Sequence, residues 1–219
     1  AMEKKNLIII IGSVIATFLF LVGAYTMTSK PQETFFAEVA KPNKTDHSKW
    51  SKDNKIVLVE YSDFQCPACQ LYEQMISALE EDPEAKNVME KVTLVYRNFP
   101  LDQIHPNARE AAYAAEAAGK QDKFFPMHDL LFENQTAWSE QPDPTQVFEG
   151  YAKELNLSLD QYKKDYDSSA VREKVQADFL SGTNADVQGT PTFFLNGSKI
   201  QNPRSPEELI DILTKALEK

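Results

Sequence analysis

Cysteine is nearly absent from this chain of 219 residues: Cys66 and Cys69 are the only two. Histidine is almost as scarce, with His47, His105 and His128 alone. A tetrahedral structural zinc needs four ligands, and no histidine stands at finger spacing from the cysteines, which argues against a metal as the reason for the pair. No cysteine stands directly after the apolar N-terminal run, so a lipoprotein anchor is excluded. There is no EF-hand loop, although the acidic surplus leaves a calcium site of another kind open. Positive charge is short as well. Lys and Arg number 23 against 33 Asp and Glu, for a net charge of −10, and residues 1–29 contribute +1 of it, leaving −11 on the rest. Such a surface argues against nucleic acid or an anionic lipid face as a target, and solubility outside the cell is enough to account for it.

One long hydrophobic run is present. After Lys4 and Lys5, residues 7–25 carry no charge, about the length that crosses roughly 30 Å of hydrocarbon as a helix. The sequence therefore predicts a transmembrane signal-anchor over 7–25 with residues 1–6 in the cytoplasm, since the lysines lie on its N-terminal side. Val22-Gly23-Ala24 offers small residues for processing, so a cleaved signal peptide is the rival. Residues 26–54 are polar, contain Pro31 and Pro42, and are expected to be an extracytoplasmic tether, with Phe35 and Phe36 packing on the domain as a short first strand. Residues 55–219 are long enough for one domain with a real core.

Within that domain the patterns alternate between sheet and helix. Ile56–Tyr61 and Val92–Arg97 are β-branched apolar strands, separated by a helix whose apolar positions are Leu71, Tyr72, Met75, Ile76 and Leu79 and which Asp82-Pro83 breaks. Helical spacing then recurs from Pro106 to Gly119, 122–133, 144–155, 158–167 and 170–180, with aromatic residues better explained as core than as ligand site. Thr192–Leu195 returns to strand, Asn196-Gly197 signals a type I′ turn, and Ser205 caps a last helix from Pro206 to about Leu217. The order predicts an α/β fold, a mixed sheet with helices on both faces and an all-helical insert over about 104–183.

Cys66-Pro67-Ala68-Cys69 sits where the first strand gives way to the first helix. That places Cys66 at a helix N-terminus, where unpaired N–H groups and the positive end of the dipole favour a thiolate, and Pro67 suits the first helical position. A structural disulfide across so small a loop would constrain the unfolded chain little, and vicinal thiols do not stay reduced in an oxidising compartment. Dithiol redox chemistry is the reading that remains strongest.

Three segments together resemble the DsbA-like branch of the thioredoxin superfamily, and its membrane-anchored bacterial members in particular. They are Asp63-Phe64-Gln65-Cys66-Pro67-Ala68-Cys69, Tyr96–Leu101 leading to His105-Pro106-Asn107-Ala108, and Gly189–Gly197 with Thr190-Pro191. The resemblance covers about Lys55 to the C-terminus. It implies a thioredoxin fold with the helical block inserted between its halves, and a thiol-disulfide oxidoreductase, a disulfide donor to exported proteins with free thiols. It further implies reoxidation by a quinone-linked DsbB- or VKOR-like membrane partner, a monomer, and no cofactor beyond the redox-active disulfide Cys66–Cys69. By the same resemblance Cys66 is the exposed nucleophile, Cys69 the buried resolving thiol, and Thr190-Pro191 the cis-proline loop that pairs with a substrate strand. Glu60 matches a buried acid that takes the Cys69 proton, where strand alternation alone would also allow a solvated residue. Pro67 and Ala68 tune the site. Ala68 stands where the strongly oxidising prototype has a histidine, which predicts a more reducing potential and a less acidic Cys66 than the prototype's. A reductase or isomerase fed with electrons, and a non-catalytic chaperone on the same scaffold, are the alternatives.

Overall fold

Ile56–Ser62 forms the central strand of the sheet because both its faces are covered; the β-branched run leaves no polar face until Glu60. In the computed structural model, which describes residues 4–28, 34–53 and 55–218, with side chains of the first helix described over 11–23, that strand is the second of five. Ten α-helices, a 3-10 turn over Ala37–Val39 and five strands are described: α1 Lys4–Thr28, β1 His47–Trp50, β2 Ile56–Ser62, α2 Pro67–Glu81, α3 Pro83–Met89, β3 Val92–Asn98, α4 Ala108–Gly119, α5 Phe124–Glu133, α6 Gln135–Trp138, α7 Thr145–Glu154, α8 Leu159–Tyr166, α9 Ser169–Asn184, β4 Thr192–Leu195, β5 Ser198–Lys199 and α10 Pro206–Leu217. The sheet order is β1-β3-β2-β4-β5. β2 and β3 are parallel, with Glu60 opposite Tyr96, and the other pairs are antiparallel.

Strand alternation sorts the sheet's side chains onto two faces. Leu58, Leu94 and Phe193 meet α2, α3 and α10 through Ile76, Leu79, Met89, Leu209 and Leu213. Val57, Val59, Tyr61, Val95 and Phe194 meet Phe99, Phe179 and Val187 on the other side, where a Cβ on Gly182 would lie 2.6 Å from the Phe99 ring, so only glycine lets α9 come this close. The helices α4–α9 form the block inserted between β3 and β4, with their own core around Trp138, Phe148 and Tyr162 that extends to Phe64, Cys66 and Cys69. Asn196 and Gly197 both have positive φ, as the two-residue turn between β4 and β5 requires. Ser205 accepts from the Glu208 N–H at the start of α10.

Two expectations are corrected. The transmembrane helix over 7–25 is not upheld: among the described residues no helix is long and apolar enough to cross a membrane. α1, Lys4–Thr28, covers that segment as a helix. The expected tether is folded along much of its length. The chain divides into units 1–34 and 35–219, and in the second unit β1 pairs with β3, Phe35 bridges Ser198, and Phe36 packs edge-on against Phe194. What binds it is charge: the buried Arg97 guanidinium donates to both oxygens of Asp46, at 3.2 and 2.8 Å. Pro83 breaks α2 but also opens α3, because Asp82 caps it by accepting from the Glu84 N–H. The expected cytoplasmic end 1–6 and the tether 26–54 fall partly on residues 1–3, 29–33 and 54, outside those described.

Candidate active site

The strand β2 delivers Glu60 and Ser62 to the face covered by α2, and the loop Asp63–Gln65 delivers Cys66 to the N-cap of that helix. Pro67 occupies its first turn, exposed with Ala68. The loop is held from three sides. Asp63 accepts from the Gln65 and Leu101 N–H groups at 2.8 and 2.9 Å and pairs with His105 Nδ1 at 2.7 Å. Gln65 accepts from the Asn107 N–H and donates to the Ser139 carbonyl. Gln135 Nε2 donates to the carbonyls of Phe64 and Cys66, at 2.7 and 3.1 Å.

Across from Cys66 lies the Thr190–Pro191 bond, which is cis. The Cys66 thiol donates to the Thr190 carbonyl at 3.5 Å, and Asn202 holds the next carbonyl, that of Pro191, at 2.7 Å. Both cysteines are thiols here. Cys66, expected to be exposed, is only 7% accessible, because the Thr190 carbonyl and the clamped loop stand over it; Cys69 is fully buried.

The two thiols are driven apart in acidity. A hydrogen bond from the Cys69 thiol, assisted by the backbone N–H groups of Cys69 and Ala68, lowers the Cys66 pKa to about 5 despite burial. Burial raises Cys69 well above the ordinary thiol value, and the negative charge on Cys66 adds to it. Glu60, 4% accessible, is raised to about 7, first by burial and then by the Glu73 carboxylate; Ser62, His128 and Lys49 pull the other way. The acid expected from the sequence is thus buried and poised near neutrality, where proton transfer in both directions is cheap.

The structure brings Glu60, Cys66, Cys69, Thr190 and Pro191 into one site and adds residues whose part could not be read from the chain. Ser62 and Gln135 lie outside the segments that carry the resemblance, and Asp63, Gln65 and His105 lie within them without an assigned role; the distant partners of Asp63, Gln65 and Gln135 are 38 to 74 positions away, and only folding reveals them. One group among the described residues, Glu73, His128 and Asp129, gathers three donor atoms within 4.8 Å. Lys49 Nζ already faces it, 3.7 Å from Glu73, and we assign no metal there. Beside the site a cavity of about 580 Å³ is lined by Pro67, Gln70, Ile104, His105 and Gln135.

A family model described as Thioredoxin matches residues 43–215. Among curated proteins, the Na(+)/H(+) antiporter NhaA 1 of Salinispora arenicola is 34% identical over 171 residues, covering 78% of this chain and 24% of that protein. A second, NhaA 1 of Mycobacterium sp. (strain KMS), is 31% identical over 96% of this chain and 34% of that one. The chain therefore spans about a quarter to a third of the curated relatives it matches. Among solved structures, a thioredoxin-like oxidoreductase from Silicibacter pomeroyi superposes with a TM-score of 0.68 at 21% identity, over 85% of this chain and 99% of that one. BdbD from Bacillus subtilis gives 0.68 at 22% identity over 82% and 97%. Wolbachia pipientis alpha-DsbA1 gives 0.67 at 20% over 82% and 95%.

Proposed function

We propose, for a chain that belongs to the thioredoxin family and carries its DsbA-like form, that Cys66 and Cys69 exchange dithiol for disulfide with exported polypeptides and act as a disulfide donor. The observation that carries this reading is the split between the two thiols, one held acidic at a helix N-cap and the other held protonated in the core, with a buried carboxyl poised near neutrality on the same side of the sheet.

The steps follow from that split. In the disulfide state a substrate thiolate attacks Cys66 Sγ, the Cys66–Cys69 bond breaks, and Cys69 leaves as a thiolate that takes a proton from Glu60. A second substrate thiolate attacks the substrate sulfur of the mixed disulfide and expels Cys66, which leaves readily because it is stable as a thiolate. The substrate loses two electrons and the enzyme gains them. Thr190 offers its carbonyl beside Cys66, where an extended substrate segment can pair with it. Stabilising the Cys66 thiolate stabilises the dithiol state and makes the disulfide oxidising, and with Ala68 where the strongly oxidising prototype has a histidine the donor should be the weaker oxidant of the two. An oxidising setting outside the cytoplasm suits such a donor, and a quinone-linked DsbB- or VKOR-like membrane protein is the reoxidant to look for.

The deciding measurement is the equilibrium potential in glutathione buffers, read by thiol alkylation and mass, with Cys66→Ser as control. A value above roughly −180 mV but below the prototype's about −120 mV is expected for a donor with Ala68. A value near the roughly −270 mV of thioredoxin would mark a reductase instead. Retention of polypeptide binding by Cys66→Ser, with no exchange by the parent, would mark a chaperone.

A further inference from the structure

Among the described residues no hydrogen bond joins Glu60 to Cys69, and the strand sets a hydroxyl on the face they share. Glu60 and Ser62 are two apart on β2, hence on one face, and α2 lays Cys69 and Glu73, one turn apart, over that face. The Ser62 hydroxyl acts on three groups at once: the Glu60 carboxyl, the Cys69 thiol and the Tyr96 hydroxyl. Yet it is buried and holds a full hydrogen bond to none of them, and the Tyr96 hydroxyl is in the same condition. A buried hydroxyl without a settled partner is costly, so an alanine would suit the resting dithiol state better. A hydroxyl has one proton to give and two lone pairs to receive with, which is what a relay requires.

We propose that the Ser62 hydroxyl carries the proton between the Cys69 thiol and the Glu60 carboxyl in both halves of the exchange cycle. The proposal rests on the exchange reading above. During reoxidation, Cys66 is held in a mixed disulfide with a partner that arrives as a disulfide. Cys69 gives its proton to Ser62 Oγ as Ser62 gives its own to the Glu60 carboxylate. The Cys69 thiolate then attacks Cys66 Sγ, forms the Cys66–Cys69 bond and expels the partner's sulfur as a thiolate. During disulfide donation the proton runs back, from the Glu60 carboxyl through Ser62 to the departing Cys69. Ser62 ends each passage as it began. The charged and titratable groups facing this path are Glu73 from α2, His128 from α5, Lys49 from β1, Tyr96 from β3 and Asp63 from the loop.

Glutathione disulfide is the probe, because its reaction with the dithiol form separates the two thiols. Attack by Cys66 gives the Cys66–glutathione adduct, and attack by Cys69 then resolves it; acid quenching and mass analysis follow both between pH 5 and 9. Ser62→Ala is expected to leave the first step within twofold and to slow the second by about a hundredfold near pH 7, the low end of positioned acid–base transfer. Its rate should then rise with pH as an unassisted thiol's does. Adding Glu60→Gln to Ser62→Ala should slow resolution no further than Glu60→Gln alone. Ser62→Thr and Ser62→Val, alike in shape and differing in the hydroxyl, keep the test open should alanine not fold: threonine should restore the pH profile and valine should not. A resolution step within twofold of the parent in Ser62→Ala, an equal loss in Thr and Val, or multiplying losses in the double variant would overturn the relay while leaving the exchange reading intact. A parent chain that forms no adduct would overturn both.

Discussion

Cys66 and Glu60 have exchanged the protonation states that an unfolded chain would give them. Folding lowers the thiol from 9.0 to about 5 and raises the carboxyl from 4.5 to about 7. Between pH 5 and 7 the folded dithiol form therefore holds a thiolate and a carboxylic acid where the unfolded chain holds a thiol and a carboxylate, the same number of protons. The sign of each contribution follows from linkage. The Cys66 contribution is full above the unfolded value of 9.0 and is lost as pH falls through 5; the Glu60 contribution is full below 4.5 and is lost as pH rises through 7. In the shared window the two slopes oppose, so these two contributions largely cancel. Single variants expose each one: Glu60→Gln should make the dithiol form more stable as pH rises from 5 to 7, and Cys66→Ser less stable, each by about 1.4 kcal/mol per pH unit at the limit. Urea unfolding of the reduced proteins at fixed pH values measures both slopes. Parallel slopes in the two variants would contradict the exchange of protons.

At the scale of elements, the N-terminus of α2 is held by the helical block as much as by its own sheet. Gln135 of α6 reaches back across 71 positions to the Phe64 carbonyl and across 69 to that of Cys66. Gln135→Ala leaves both carbonyls buried without that donor, and a loss of roughly 1–3 kcal/mol is expected in denaturant unfolding. Because the clamp also fixes where Cys66 sits under the Thr190 carbonyl, the variant should react with glutathione disulfide more slowly at Cys66 itself, whereas Ser62→Ala should not. Trp138, the largest buried side chain of the block, donates to the Leu131 carbonyl and ties α6 to α5, so the clamp is mounted on a rigid base.

For the whole molecule, the boundary of the domain is an electrostatic matter. Arg97 is buried on β3 and its charge is met by Asp46, which lies before the boundary expected at residue 55. Lys174 stands between Asp178, Glu116 and Asp46, at 2.6, 3.9 and 4.0 Å, so the same segment also reaches the helical block. Residues 35–219 should fold and unfold as one cooperative unit. A chain begun at 55 lacks β1 and Asp46 and leaves the guanidinium unpaired in the core, with about 3–5 kcal/mol lost. Comparing the two in urea decides it, and equal midpoints would refute the role given to Asp46.

The sequence alone determined the strand-to-helix step that puts Cys66 at an N-cap, the alternation of sheet and helix, the helical insert and the two-residue turn at Asn196-Gly197, because these follow from local periodicity, capping and backbone preference. Glu60, Thr190 and Pro191 could be named from their resemblance to a family, but not placed. Burial, the approach of Thr190 to Cys66, the convergence of Glu60 and Cys69 on Ser62, and the inclusion of residues 35–53 in the fold were decided only by tertiary structure. Each depends on desolvation or on a partner tens of residues away, such as Arg97 for Asp46 at a separation of 51, and no local pattern of residues encodes either.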